Sequence, residues 1–159
     1  MALSFKSYTA DGIQTDFQVT FDYLDESHVR VRVDKTFTDE VGAGYKFEWI
    51  NSNTIRVTTL IDSNPAPAGT QIDLIRRTPI NTPAVIFGGG AALTSANLNK
   101  NSEYLTYALQ EATDTNEEFT KLYLGSFDEA PTSDNDGDPL QNGAVYYNSV
   151  VKALFYWTG

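Results

Sequence analysis

The sequence predicts an α+β fold with three parts: an N-terminal antiparallel β-sandwich-like domain, one long coiled-coil helix and a small C-terminal β-hairpin module. The first half alternates apolar and polar residues with a period of two, as strands with one buried face do. Residues 95–122 contain neither Gly nor Pro, which favours one uninterrupted helix. A Pro/Asp/Gly-rich stretch then precedes two short β runs near the C-terminus.

The first 80 residues predict five to seven short strands. The clearest is HVRVRVD at 28–34, in which Val29, Val31 and Val33 point one way and Arg30 and Arg32 the other. A half-buried antiparallel strand produces this pattern because successive Cβ atoms lie on opposite faces. The other runs with strand patterning and turn signals between them are 3–10, 16–21, 45–50, 54–60 and 71–78.

Residues 81–93 predict a Pro/Gly corner rather than a binding loop. Pro79 and Pro83 forbid a helix, and the three glycines at 88–90 allow positive φ. The glycine trio lacks the spacing of a dinucleotide or Walker loop, so a phosphate site is disfavoured. The helix is expected to start at the N-cap Thr94, with Leu93 and Leu98 as a hydrophobic staple, and to stop at Gly125.

Apolar residues recur every seven positions along this helix. Such a repeat is typical of a coiled-coil seam, and a rod of roughly 40 Å is long for a small globular domain. The alternative is that the stripe packs on its own β domain. The residues predicted to form the seam are Leu98, Leu105, Ala108, Leu109, Ala112, Phe119 and Leu122.

The last segment predicts a hairpin that turns near Ser149–Lys152 and is crowded with aromatic residues. Aromatic faces beside Asp and Asn bind sugars, but the same residues also suit the small core of a trimeric β module. The candidate glycan-binding or docking residues are Tyr146, Tyr147, Tyr156 and Trp157.

Composition argues against several classes of partner. The net charge is −10, with residues 81–159 carrying three Lys/Arg against ten Asp/Glu. A phosphate backbone would be repelled, so no nucleic-acid partner is expected. No apolar run is long enough to cross a bilayer and no secretory signal is recognisable, so no membrane insertion is expected. The absence of Cys excludes disulfides and thiolate metal sites and fits folding in a reducing cytosol.

The sequence predicts no catalytic residue, no metal site and no cofactor. His28 is the single histidine and no Cys is present, so a nucleophile relay would depend on one strand-end residue. The loop from Asp134 to Asp138 alternates acids as a calcium loop does. It has Pro139 and Val145 where an EF-hand requires Gly and Glu, so a solvated turn is expected. The chain is therefore predicted not to be an enzyme.

Four stretches of the chain resemble the N-terminal, tail-attachment region of tail-fibre proteins of T-seven-like podophages. They are the opening run 3–31, the strand Ile72–Thr78 with Arg76-Arg77, the corner Phe87–Leu93 and Leu98-Asn99. Residues 125–159 are similar to a small module of phage fibre and tail proteins, with Tyr-Tyr-Asn and a terminal Tyr-Trp-x-Gly.

The resemblance implies a virion structural protein, made in the host cytoplasm and placed in the phage tail. It implies a homotrimer whose β domain docks between tail adaptor and nozzle proteins, so that the fibre can adsorb to the host. The chain would be a tail-fibre adaptor handing over to a further fibre protein at its C-terminal end, or an N-terminal fragment of a longer fibre. The alternative is a carbohydrate-binding module that contacts the host directly.

The expected division of the chain follows from these parts. The predicted segments are a β tail-attachment domain at 1–80, the Pro/Gly corner at 81–93, the trimeric coiled-coil helix at 94–123 and the C-terminal β-hairpin module at 124–159.

Overall fold

The computed structural model describes residues 3–39, 42–88 and 93–159. The chain divides into two compact units, unit 1 at Met1–Glu111 and unit 2 at Ala112–Gly159. Part of the predicted Pro/Gly corner at 81–93, namely Gly89 to Ala92, lies outside the described residues. The boundaries predicted from the sequence stay a prediction.

Unit 1 holds two antiparallel sheets. Its strands among the described residues are β1 Phe5–Thr9, β2 Asp16–Gln18, β3 Val29–Val33, β4 Thr36–Phe37, β5 Tyr45–Asn51, β6 Thr54–Thr59 and β7 Gln71–Arg76. The first sheet has the strand order β1-β7-β3-β4 and the second β2-β6-β5, so the predicted α+β class with an antiparallel N-terminal domain is confirmed.

The core of unit 1 comes from residues that alternate along these strands. Val31 of β3 lies opposite Leu74 of β7, and Val33 lies opposite Ile72. All four are buried, and they share one cluster with Phe17, Ile55 and Val57 of the second sheet. Directly opposed residues on antiparallel strands share a face, so the period-two pattern decides which side of each strand is inside.

The long helix α1 runs from Ser95 to Leu122, beginning in unit 1 and ending in unit 2. Its predicted N-cap is confirmed, because the backbone N–H of Asn97 donates to Thr94 Oγ1 at 3.2 Å. The expected hydrophobic staple buries little apolar surface, since Leu93 and Leu98 are both exposed. The start and approximate length of α1 could be predicted from the sequence because Thr94 is a good N-cap and no Gly or Pro interrupts the residues that follow it.

The end of α1 differs from the expectation that Gly125 is its stop. The helix ends at Leu122, and the Asn135 side-chain amide donates to the carbonyls of Thr120 and Tyr123 at 2.8 and 3.1 Å. Helix-end carbonyls need such donors, and a side chain supplies them here. Gly125, with φ at 100°, lies instead where the next strand has an irregular register.

Unit 2 contains the predicted hairpin and a third strand. β9 (Val145–Asn148) and β10 (Ala153–Tyr156) pair antiparallel, and β8 (Tyr123–Phe127) adds to β9 in parallel. The sequence reading missed β8 because the run YLGSF follows the helix with no turn between them.

Candidate functional site

The acidic loop of unit 2 closes on itself. Asp134 Oδ1 accepts the backbone N–H groups of Asp136 and Asp138 at 3.0 and 2.8 Å, and the N–H of Asp134 donates to the carbonyl of Asp138. Side-chain bonds of this kind shape a turn. Over residues 3–39, 42–88 and 93–159 no group of three or more His, Asp or Glu is placed to hold a metal ion.

His28 ends the short 3-10 helix Glu26–His28 that leads into β3. Its ring lies edge-on to the ring of Tyr104, with 6.2 Å between ring centroids. The contact is a packing contact between the β domain and α1.

Within the described part of the chain, no helix is both long and apolar enough to cross a membrane.

The first half of the predicted seam is exposed on unit 1. Leu105 and Leu109 are 71% and 68% accessible, and Leu98 is also exposed. Ala108 is half-buried, and it and Leu105 both line a pocket of about 320 Å³ together with Ile80. Leu98, Leu105 and Leu109 are thus accessible on the surface of unit 1.

The second half of the predicted seam lies in unit 2. Ala112, Phe119 and Leu122 are all exposed. The Phe119 ring stacks on Tyr123, the first residue of β8, with ring centroids 5.6 Å apart. Within unit 2, the apolar C-terminal end of the helix therefore adjoins the sheet at Tyr123.

Arg76 holds the other side of α1 to the β domain of unit 1. This side chain is only 1% accessible, and its Nε donates to Glu111 Oε1 at 3.0 Å. Its Nη2 donates to Gln110 Oε1 at 2.7 Å and to the carbonyl of Tyr107 at 3.2 Å, and its Nη1 donates to the carbonyl of Asp22 at 2.6 Å. A buried guanidinium needs several acceptors to offset its desolvation, and here α1 supplies most of them.

Two further groups complete this junction. The backbone N–H and the hydroxyl of Thr78 both donate to the Glu111 carboxylate, the hydroxyl at 2.6 Å. The guanidinium of Arg76 also lies over the Tyr107 ring, 4.1 Å from its centroid. Burial, with Asp22 and Glu103 nearby, raises the pKa of the Tyr107 hydroxyl, although Arg76 acts in the opposite direction. We call these residues, Arg76, Thr78, Tyr107, Gln110 and Glu111, the helix anchor.

The segment after β7 is also tied to α1. The Asn101 side chain accepts from the backbone N–H of Val85 at 2.8 Å and donates to the Val85 carbonyl at 3.0 Å. These two hydrogen bonds hold the Pro-containing segment beside the helix. The pocket that Ala108 lines lies between the two.

Arg76 belongs to a motif of the family resemblance, but the helix anchor was not predicted from the sequence. One signal was available: Arg76 is in phase with Ile72 and Leu74, so the period-two pattern directs it inward. A cation on the inner face of a strand predicts acceptors from a neighbouring element.

The four candidate aromatic residues of unit 2 do not form one cluster. Tyr147 lies opposite Leu154 and Val145 opposite Tyr156, so Tyr147 and Tyr156 share one face of the sheet. Tyr146 lies on the other face, where its ring stacks on Phe155 with centroids 5.5 Å apart. Trp157 follows β10, and its backbone N–H donates to the carbonyl of Ala144 at 2.8 Å.

Comparison with known proteins gives one informative result. No curated protein matches the chain significantly. The profile of the family described as "Phage T7 tail fibre protein, N-terminal domain" matches residues 1–127, which is most of the chain. That family is a structural domain of phage tail fibres, and its place is the tail of the virion. The resemblance drawn from the sequence is thereby confirmed, and the chain belongs to the phage T7 tail fibre family.

Proposed function

We propose that this chain anchors a fibre to the phage tail as a homotrimer, with α1 as its three-stranded seam. In this proposal the β domain of unit 1 binds adaptor and nozzle proteins of the tail. Unit 2 then adjoins a further fibre protein or continues into the rest of the fibre. The chain is made in the host cytoplasm and functions without catalysis or a cofactor.

The observation that carries the proposal is that one side of α1 in unit 1 binds the β domain while another side stays exposed. Tyr107 and Glu111 belong to the helix anchor, whereas Leu105 and Leu109 are exposed. At 3.6 residues per turn, Leu105 lies roughly 120° around the helix from Glu111. Leu105 borders the pocket formed with residues 80–84, but both leucines stay largely exposed, which supports self-association over packing of the stripe on its own β domain.

A three-stranded seam is proposed because apolar residues recur along α1 at the coiled-coil period, in a stripe that is narrow. Leu98, Leu105, Ala112 and Phe119 are spaced seven residues apart, which matches the period of left-handed coiled coils. Polar residues such as Ser102 and Asn116 separate the apolar ones. A narrow seam of this kind gains stability from several copies and from added contacts at its ends.

The experiment is the solution mass of the purified chain, by sedimentation or native mass spectrometry. The expected mass is three times 17.6 kDa. A chain that stays at 17.6 kDa over a full concentration series contradicts the homotrimer. Co-sedimentation with fibreless tails then tests tail attachment, and removal of unit 1 is expected to abolish it.

A second candidate function is direct binding of host carbohydrate, favoured by the exposure of Tyr147 and Tyr156 on one face of unit 2. Tyr156→Ala is expected to abolish glycan binding under this alternative, with Val150→Ala in the β9–β10 turn as the control. Equal binding of both variants to host glycans rejects it.

A further inference from the structure

We infer that one face of the unit 2 sheet is a second self-association surface, which packs against the same face in the other copies of this chain. The inference rests on the proposed homotrimer and adds a contact at the C-terminal end of its seam. We call this surface the aromatic face; its residues are Phe119, Tyr123, Tyr147, Leu154 and Tyr156.

The strand register places these residues together. Tyr147 pairs with Leu154, and Tyr156 pairs with Val145, on the antiparallel strands β9 and β10. Tyr123 of β8 is in register with Val145, and its ring stacks on Phe119 of α1. Paired residues share a face, so the surface crosses all three strands and joins the predicted helix seam.

The aromatic face is large for a surface that stays in water. Leu154 and Tyr156 are 67% and 71% accessible, and Phe119, Tyr123 and Tyr147 are exposed as well. With 150–250 Å² for each buried aromatic side chain, the five residues expose on the order of 500 Å². That is about the largest patch found on ordinary monomers, and more than half of one side of a standard interface.

Charge favours another copy of the chain as the occupant. Unit 2 carries eight Asp/Glu against two Lys, a net charge of −6, so identical copies repel one another over most of their surfaces. The aromatic face contains none of these charges. It is therefore a region of unit 2 where copies meet without bringing like charges together.

The polar groups a sugar requires are scarce on this face. Sugar sites combine an aromatic ring with several side chains that hydrogen-bond the hydroxyl groups. Besides the hydroxyl groups of its three tyrosines, the register assigns one further polar side chain, Ser126, to this face in the three strands. The opposite face already packs Tyr146 on Phe155.

The test compares Leu154→Asp with Val151→Asp in the full chain. Both positions are exposed and close in sequence, but Val151 lies in the β9–β10 turn, away from the aromatic face. Burial of one leucine predicts that Leu154→Asp weakens association about tenfold or more, whereas Val151→Asp leaves it unchanged. Sedimentation over a concentration series measures both, and circular dichroism verifies the fold.

The outcomes separate this inference from the proposed function. If the wild-type chain is monomeric throughout, the homotrimer fails and this inference fails with it. If the wild type is trimeric and Leu105→Asp dissociates it, while Leu154→Asp associates as tightly as Val151→Asp, the helix seam stands and the aromatic face is overturned.

A second measurement avoids introducing a charge. The chain has no Cys, so Leu154→Cys and Val151→Cys each carry a single thiol. Alkylation at position 154 is expected to slow at least about tenfold as the chain associates, as burial of a thiol requires, while position 151 keeps its rate. An equal rate at position 154 in monomer and trimer overturns the inference. Protection of position 154 by host oligosaccharide without any change in mass overturns it in favour of the glycan alternative.

Discussion

Arg76 shows how one residue determines which side of the long helix faces the β domain of unit 1. It ends the inner face of β7, opposite Val29, where a hydrophobic residue would be expected. Its buried cation is stabilised by carbonyl and side-chain acceptors that α1 presents together. Because those acceptors come from one helical turn, the helix anchor fixes which side of α1 meets the β domain.

Glu111→Ala is expected to destabilise unit 1 strongly. The substitution leaves the Arg76 cation buried without its carboxylate and leaves Thr78 without an acceptor. Loss of one partner of a buried pair costs about 3–5 kcal/mol, which lowers Tm by roughly 6–20 °C for a chain of this size. Thermal unfolding measures the change.

The matched control is Glu103→Ala, which removes an exposed carboxylate from the same helix. A Glu111→Ala variant as stable as this control would show that the helix anchor contributes nothing to stability.

Asp16 and Arg56 form a pair that makes stability depend on pH. Hydrogen bonds from the Arg56 guanidinium, at 2.7 and 3.0 Å, hold the pKa of Asp16 below its ordinary 3.8. A lowered pKa in the folded state favours folding above the unfolded pKa, and the benefit disappears as pH falls through the folded value. Asp16→Asn is therefore expected to lower Tm near neutral pH but not in strong acid.

Thermal scans of both proteins from neutral pH to below pH 3 check this dependence, since unfolded Asp titrates near about 3.9. Arg56→Gln removes the same pair from the other side and is expected to show the same pH profile. A Tm difference that persists unchanged in strong acid contradicts the assignment.

At the scale of the elements, α1 was the most predictable and β8 the least. The α1 run of 28 residues lacks Gly and Pro, and Thr94 caps it. β8 is a five-residue strand that exists because β9 offers it a parallel edge. A short run becomes a strand through pairing with its neighbour rather than through its own composition. Such a strand is therefore hard to predict from the sequence pattern.

Leu105→Asp is expected to dissociate the oligomer and leave the β-rich circular dichroism largely unchanged. The side chain is exposed in the single chain, so the charge disturbs the fold little but would be buried in the seam. Sedimentation measures the mass. Thr106→Asp adds the same charge about 100° further around the helix and is the control. An unchanged mass for Leu105→Asp rejects the seam.

At the scale of the whole molecule, charge opposes assembly. Each chain carries a net charge of −10, so association brings like charges together around any seam. Screening lengths fall from about 10 Å at 0.1 M salt to about 3 Å at 1 M. Added sodium chloride is therefore expected to tighten the association, which sedimentation at several salt concentrations measures. A mass that decreases with salt would instead mean that ion pairs between copies hold the assembly.

The sequence by itself determined the α+β class, the described strands of unit 1 other than β4, the start of α1 and the family. These follow from local periodicity, capping and motif order, each of which involves residues close in the chain. The tertiary structure decided which side of α1 faces the β domain, how the aromatic residues divide between two faces, and that β8 exists. Each of these depends on pairing between residues far apart in sequence, such as Arg76 with Glu111 and Tyr147 with Leu154. The local sequence pattern does not identify partners that are far apart in the chain.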